Sequence, residues 1–399
     1  MQRNSLYLFF VFIFFLQNMI PIILSSDYVN FVLGMFLLLF APRGKSHPAD
    51  KVLSRWYLIF MSFIFISSFW SISPQLTLFV LVIRVFPLFC FAYTLTKYIG
   101  SYNDLFRILQ LFYIACVILL FFFISFVNLS SIGDERLSVG EDYSHDWNIN
   151  SVAMEFAIAI YVGFYLFWKA NKKNLRFFWL IVSFAMLFVI IITGSRKGFG
   201  FLIIPLVVFS FYELKGHFYY AVGLIAVGIA FIYAMMNISY LYDLMGWRLL
   251  ETIDIVSGTS DHTQDNSRVL LIQAGWEWFL EKPILGYGMN CFRVLSNNHI
   301  LFGGKNWYAH NNYIEIMVGG GIIGVFAYYS YLVPVIKRIW GHRDLPYKIV
   351  GALLFVLLFA DTAQVGYYTP DLQFLILLVF AILNLEEKKF NNLQVSSEL

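Results

Sequence analysis

Charged residues are scarce in this chain. Asp, Glu, Lys and Arg make up 13% of its 399 residues, whereas 60% are hydrophobic and 20% are aromatic. A soluble protein carries charge on about a quarter of its residues, so this composition excludes a soluble globular protein. Several apolar runs also exceed the roughly 18 residues that cross a bilayer. The sequence therefore predicts an integral membrane protein.

Cysteines and cofactor motifs are equally scarce. Cys90 and Cys116 fall in apolar runs and Cys291 lies in a connection, so no disulfide framework is predicted. No D-x-D, H-E-x-x-H, C-x-x-C, P-loop or G-x-S-x-G pattern occurs, and the polar cluster at 261–265 is typical of a loop cap. We therefore expect no metal and no cofactor. The net charge of +3 is spread over short connections, which gives no support for a nucleic-acid partner.

Hydropathy predicts an all-α, polytopic membrane protein with about twelve transmembrane helices, because every backbone polar group in lipid must be bonded internally. The first apolar run lacks a cleavage signal and is predicted to be retained. The predicted spans lie near residues 5–24, 28–42, 56–72, 76–95, 107–128, 150–168, 177–194, 198–213, 218–238, 309–335, 347–366 and 371–386.

The distribution of Lys and Arg predicts the orientation. With the N-terminus inside, the inner connections hold 18 of these residues and the outer ones hold 8. Because positive residues concentrate in cytoplasmic loops, both termini are predicted to be cytoplasmic. The predicted order is helices 1–9 over 1–238, a large extracytoplasmic loop over 239–308, helices 10–12 over 309–386, and a cytoplasmic tail over 387–399.

The large external loop contains a predicted helix, VLLIQAGWEWFLE, which Asp265 or Ser267 can cap and Pro283 ends. Its aromatic residues, Trp276, Trp278 and Phe279, suit a helix in the headgroup layer. A loop of this length is usually functional. We therefore expect the loop to contribute to a site on the outer face.

His310 follows this loop, at the start of a glycine-rich apolar run. Histidine takes a proton near neutral pH, and it is costly at a membrane boundary. Around it, Trp307 and Tyr308 could stack on sugar faces, and Asn311 could bond sugar hydroxyls. The alternative is an interfacial aromatic belt with a histidine bonded to backbone. Glycines 319, 320, 321 and 324 predict close helix packing.

Arginines supply the candidate anion site. Arg196 lies in TGSRKGFG at the end of a predicted span, where a guanidinium fork suits phosphate oxygens; snorkelling to the interface is the alternative. Arg268 opens the helix of the external loop, where a cation opposes the macrodipole, and this favours a ligand role. Arg84 lies within a span, where a structural ion pair with Asp361 is the first interpretation and a donor-site role is the alternative. Arg293 and Lys305 are weaker candidates for the same site, and either could equally contact anionic headgroups.

Together these patterns resemble the O-antigen ligase and polymerase family of membrane glycosyltransferases. His310-Asn311, nine residues and Gly321-x-x-Gly324 fit the family's histidine signature. SRKGFG around Arg196 resembles its first arginine region. SRVLLIQAGWEWFLEKPILGYGMNCF resembles the helix that carries its second arginine, here Arg268.

The resemblance implies a fold like that of C-type glycosyltransferases and a metal-independent, inverting enzyme that uses a polyprenyl-diphosphate-linked glycan. His310 would be the catalytic base for the acceptor hydroxyl. Arg196, Arg268 and Arg84 would bind the diphosphate. Nearby guanidinium charge would keep the imidazole neutral. The implied partners are the glycan donor, the glycan acceptor, the lipid bilayer, a chain-length regulator and a flippase.

Three functions remain open from the sequence. A polymerase of oligosaccharide repeats on the outer face of the cytoplasmic membrane is favoured, since ERLSVGEDYSHDWNINSVAMEF resembles a segment of exopolysaccharide polymerases. A ligase that transfers a finished glycan to a lipid core is the first alternative. A flippase for polysaccharide precursors is the second, although charge near the midplane is sparse. An inactive scaffold would leave the combination of His310, Arg196 and Arg268 unexplained.

Overall fold

The computed structural model describes residues 2–20, 27–42, 48–127, 148–213 and 266–397, with isolated positions between 226 and 250. Within these residues the regular elements are helices, as the hydropathy predicts. They are α1 (Gln2–Met19), α2 (Asp27–Phe40), α3 (Pro48–Ser67), α4 (Pro74–Tyr98), α5 (Tyr102–Phe126), α6 (Ile149–Lys169), α7 (Lys173–Thr193), α8 (Arg196–Glu213), α9 (Asn266–Glu281), α10 (Phe292–Asn298), α11 (Asn312–Tyr329), α12 (Leu332–Ile339), α13 (Leu345–Asp361) and α14 (Pro370–Ser397).

Five helical stretches of the described chain are long and apolar enough to cross a membrane: α4, α5, α6, α7 and the continuous stretch Asn312–Ile339. The other predicted spans also coincide with helices, except 218–238, which lies largely outside the described residues. The total of twelve spans, the domain boundaries and the orientation therefore stay predictions.

The surface of α7 is that of a helix in lipid. Phe177, Ile181, Phe184 and Phe188 recur on one face and are between 51% and 64% exposed. Spacings of three and four residues place them in one stripe. An apolar stripe of this kind is expected where a helix contacts acyl chains.

The chain forms two compact units. The first comprises Met1–Phe14, Ser26–Leu105 and Asn266–Leu399, and the second comprises Phe15–Ser25 and Phe106–Asp265. In the first unit α11 packs against α3 and α9, and α14 packs against α3, α4 and α13. In the second unit α6 packs against α7 and α8. His310, Arg268, Arg293 and Arg84 belong to the first unit and Arg196 to the second.

Helix α4 contains a π-helical segment over Val80–Val85, and Pro87 follows two residues after its end. Proline lacks a backbone N–H and its ring crowds the carbonyl four residues earlier, so the regular α-helical ladder cannot pass through it. A π-bulge relieves this conflict and often occurs at functional sites. Arg84 is carried by this segment.

Helix α11 begins three residues later than the predicted span that starts at 309. Asn311 is its N-cap, and the Asn311 side chain accepts a hydrogen bond from the Ile314 N–H at 3.1 Å. His310 has a φ of +52°, a left-handed conformation that cannot continue into an α-helix. The structure therefore places His310 in the turn before the helix.

The glycines of α11 serve the external loop as well as helix packing. A Cβ on Gly320 or Gly324 would meet the ring of Phe63 on α3, so the predicted close packing is confirmed there. Gly321, however, has non-helical torsions, φ 58° and ψ −160°, and breaks the helix. At the break the Ile322 N–H donates to the Pro283 carbonyl at 2.8 Å. The loop after α9 is thereby bonded to the interior of a predicted membrane helix.

The aromatic residues of α9 divide between surface and core. Trp276 is 48% exposed, consistent with the predicted headgroup contact. Trp278 is buried and packs edge-on against Phe292 of α10, with ring centroids 5.1 Å apart. The prediction that Trp278 faces the headgroups was therefore wrong, because α10 and the loop that follows it cover that side of α9.

Candidate active site

His310 lies half-buried among aromatic rings. The centroid of its ring is 3.9 Å from that of Tyr308 and 6.3 Å from that of Trp307. A histidine with positive φ occupies a sparsely populated backbone region, and such residues persist where the surrounding structure fixes them. The structure thus brings together the histidine and both aromatic residues that the sequence singled out.

Arg293 of α10 lies beside Tyr308. Its guanidinium carbon is 5.3 Å from the centroid of the Tyr308 ring, and its Nη2 donates to the Tyr368 hydroxyl at 3.3 Å. The side chain is only half-buried, but its Nε is buried without a hydrogen-bond partner in the described structure. The sequence marked Arg293 as a weaker candidate, whereas the structure places it next to the ring that contacts His310.

Arg84 reaches the same cluster from α4. Its guanidinium carbon lies 4.9 Å from the centroid of the Tyr368 ring. Arginine over an aromatic face is a favourable cation–π arrangement. Arg84, Tyr368, Arg293, Tyr308 and His310 therefore form one continuous series of contacts, and we call this series the His310 cluster.

Arg268 is exposed in the first turn of α9, where the sequence predicted it. Burial raises the pKa of Tyr308, while the positive charges of Arg293 and Arg268 act in the opposite direction. Arg268 therefore lies within electrostatic range of the residue that contacts His310. Its role in diphosphate binding stays a prediction.

Arg196 begins α8 in the second unit. Gly194 ends α7 with a φ of 56°, and Ser195 accepts a hydrogen bond from the Gly198 N–H at 3.2 Å. The Ser195 hydroxyl donates to the Asn150 side chain of α6 at 2.9 Å, which ties the start of α8 to α6. The clamp that Arg196 would form with Arg268 and His310 stays a prediction.

Asn311, a predicted sugar contact, is bonded within the protein. Its Oδ1 caps α11 and its Nδ2 donates to the Thr362 carbonyl at 3.3 Å. Neighbouring Asn312 is fully buried and accepts hydrogen bonds from the Gly366 and Tyr367 N–H groups. Both amides attach the start of α11 to the connection between α13 and α14.

Asp361 ends α13 as a buried carboxylate. The Tyr329 hydroxyl donates to its Oδ2 at 2.8 Å, and Tyr329 in turn accepts from the Asn312 side chain at 3.1 Å. These bonds give Asp361 a role in holding α11 against α13. The ion pair with Arg84 that the sequence suggested stays a prediction.

Glu315 is the residue that sequence reasoning missed. It is 1% exposed, and its Oε2 accepts a hydrogen bond from the Ala309 N–H at 2.9 Å. The positive charges of Arg293 and Arg84 interact electrostatically with its carboxylate. The available signal was an acidic residue five positions after His310 in an otherwise apolar helix, and such a group within a membrane segment is costly unless it has a function.

Two comparisons with known proteins bear on the family. The family model described as O-Antigen ligase matches residues 181–329, which include Arg196, Arg268, Arg293, His310 and Glu315. A relative is the teichuronic acid biosynthesis protein TuaE of Bacillus subtilis (strain 168), 24% identical over 344 residues, with 78% of this chain and 70% of the relative covered. The resemblance that the histidine signature indicated is supported: this is a membrane protein, and its residues 181–329 match the O-antigen ligase family model.

Proposed function

We propose that this protein is a glycosyltransferase of the cytoplasmic membrane that polymerises polyprenyl-diphosphate-linked oligosaccharide repeats on the outer face. The observation that carries the proposal is the His310 cluster. Contacts within one unit join a histidine of positive φ, two tyrosine rings and the guanidiniums of Arg84 and Arg293. The positive charge of Arg268 also interacts electrostatically with Tyr308. A neutral base beside concentrated positive charge suits transfer from an anionic leaving group.

In the proposed reaction the His310 imidazole takes the proton of the acceptor hydroxyl. The hydroxyl oxygen forms a bond to the anomeric carbon, and the bond from that carbon to the diphosphate oxygen breaks. The electron pair stays on the diphosphate, where Arg196, Arg268 and Arg84 bind the developing charge. Attack from the face opposite the leaving group inverts the anomeric configuration.

The aromatic residues suit the sugar partner. Tyr308 and Trp307 are half-buried, and their rings flank the imidazole. Aromatic faces stack on the apolar faces of sugar rings, which would hold the acceptor hydroxyl near His310. We retain Asn311 as a further contact, although its amide is already bonded to Ile314 and Thr362.

Two observations favour the polymerase. The relative is named for teichuronic acid biosynthesis and not for a ligase. Asn150, from the segment that resembles exopolysaccharide polymerases, bonds the residue directly before Arg196. Most of that segment, including Arg136, lies outside the described residues.

A ligase is the second candidate, and the description of the matching family model favours it. A ligase would use the same base and the same arginines but would accept a lipid core. Both candidates act at the outer face, with both termini cytoplasmic. They require a glycan donor and an acceptor, and a flippase and a chain-length regulator would act with them.

Purified protein in detergent, given a defined lipid-linked oligosaccharide, separates these functions. We expect a ladder of products that differ by one repeat. A single transfer to an added lipid-core acceptor, with no ladder, would support the ligase. The same protein reconstituted in lipid vesicles tests the flippase: movement of the lipid-linked glycan across the bilayer without any lengthening would support it and overturn the transferase.

A further inference from the structure

Glu315 holds the backbone that carries His310. Helix α11 begins at Asn312, so Glu315 lies in its first turn and its carboxylate reaches back to the N–H of Ala309, the residue before His310. A carboxylate here also complements the positive end of the helix. The arrangement resembles a capping box, in which an acidic side chain of the first turn bonds an N–H that precedes the helix.

The two residues that flank His310, Ala309 and Asn311, are both bonded to Glu315. On the N-terminal side, the Glu315 Oε2 accepts from Ala309 at 2.9 Å. On the C-terminal side, the Asn311 carbonyl accepts from the Glu315 N–H at 3.0 Å. Both bonds end on Glu315, and between them lies a left-handed residue whose conformation requires such support.

The burial of Glu315 and the charges around it distinguish it from a simple helix cap. It is buried at 1% exposure, and its Oε1 has no hydrogen-bond partner in the described structure. The positive charges of Arg293 and Arg84 interact electrostatically with the Glu315 carboxylate. The carboxylate in turn interacts electrostatically with Tyr308 and Tyr368. One side chain thus connects the His310 backbone to the charges of the His310 cluster.

We propose that Glu315 is a positioning residue that fixes the direction of the His310 imidazole through its hydrogen bond to Ala309. The inference rests on the proposed function, in which His310 is the base. Glu315 does not touch the substrate and acts through His310. A displacement of about 1 Å in a reacting group costs on the order of a hundredfold in rate, so a loss of the bond should be visible in kcat.

Two substitutions test the bond. Glu315→Gln keeps an oxygen that accepts from Ala309, and Glu315→Leu removes it. In purified protein with a lipid-linked repeat, we expect Glu315→Leu to lower kcat by about a hundredfold with little change in KM for the donor. Glu315→Gln should stay within about tenfold of the wild type, because its amide oxygen replaces the carboxylate oxygen.

Gln373→Leu is the matched control. Gln373 is 2% exposed in the same unit and bonds Tyr57 and the Gly366 carbonyl. It should lose thermal stability without a selective loss of kcat. An equal loss of kcat in Gln373→Leu and Glu315→Leu would overturn the proposal.

The Gln variant keeps the test valid if Glu315→Leu fails to fold. A hundredfold loss in a stably folded Glu315→Gln protein would overturn positioning through the hydrogen bond. The proposed function is tested separately: a His310→Ala protein that still forms polymer would show that His310 is not the base. If His310→Ala is inactive and Glu315→Leu is fully active, the positioning role of Glu315 is excluded and the proposed function stands.

Discussion

The guanidinium of Arg84 lies over the ring of Tyr368, with its central carbon 4.9 Å from the ring centroid. The two residues are 284 positions apart in the chain. This contact joins the π-helical segment of α4 to the connection between α13 and α14. Because the Tyr368 hydroxyl also accepts a bond from Arg293, one tyrosine contacts both Arg84 and Arg293 of the His310 cluster.

Tyr368 can be tested in two steps. Tyr368→Phe keeps the ring beneath Arg84 but removes the oxygen that Arg293 bonds, so we expect a loss of transfer rate of about five- to tenfold. Tyr368→Leu removes the ring as well and should lose about fivefold more. Rates of product formation in detergent measure both. Tyr347→Phe, at the opposite end of α13, is the control and should be neutral; equal rates in all three variants would contradict the role.

The pH response of the same residue is a separate prediction. Burial, and after it the charge of Glu315, raises the pKa of Tyr368 to about 12. A phenol stays protonated below its pKa, so Tyr368 remains neutral and able to bond Arg293 up to about pH 10. The activity ratio of wild type to Tyr368→Phe should therefore be constant between about pH 6 and pH 10. A ratio that changes in either direction within this range would show that Tyr368 ionises there.

His310→Ala should abolish polymer formation while the protein still inserts and folds. General base catalysis contributes about 10²- to 10⁴-fold, and no other group is expected to take its place. Product length on gels and expression in the membrane fraction are the two measurements. Polymer of normal length from this variant would remove His310 from the mechanism.

Arg196→Lys and Arg268→Lys should each lower the transfer rate by about a hundredfold. Lysine keeps the charge but lacks the planar fork that bonds two phosphate oxygens at once. Arg343→Lys, at an exposed position between α12 and α13, is the control and should leave the rate unchanged. Normal turnover in both site variants would exclude the diphosphate clamp.

Gly321→Ala should destabilise the protein strongly. Gly321 has a φ of +58°, and a Cβ there would lie 2.3 Å from the Ile284 carbonyl carbon and oxygen. Both the backbone strain and the clash with the docked loop oppose the substitution, so we expect a loss of about 3 kcal/mol or more. Thermal unfolding in detergent measures it.

Gly303→Ala is the matched control for this effect. Gly303 has a nearly identical φ of +59°, but no atom lies within 4 Å of the position that a Cβ would take there. It should therefore show only the cost of a left-handed alanine, about 1–2 kcal/mol. Equal melting temperatures for the two variants would show that loop docking contributes nothing.

The amino-acid sequence by itself determined the helical class and the membrane setting, and it singled out His310 as the candidate base. Long apolar runs leave the backbone no alternative to helix in lipid, so the positions of most helices follow from hydropathy alone. His310 was identified by its local pattern with Asn311, Gly321 and Gly324. Arg268 was predicted at the start of a loop helix, and α9 begins two residues before it.

The tertiary structure decided which charges meet and what the glycines do. Arg84, Arg293, Glu315 and Tyr368 lie on separate elements, and no short-range pattern relates them. Whether two such side chains meet depends on how helices pack, which is set by contacts across hundreds of residues. Gly321 shows the same limit: its local sequence indicated helix packing, but its left-handed torsions exist because a loop backbone occupies the space beside it.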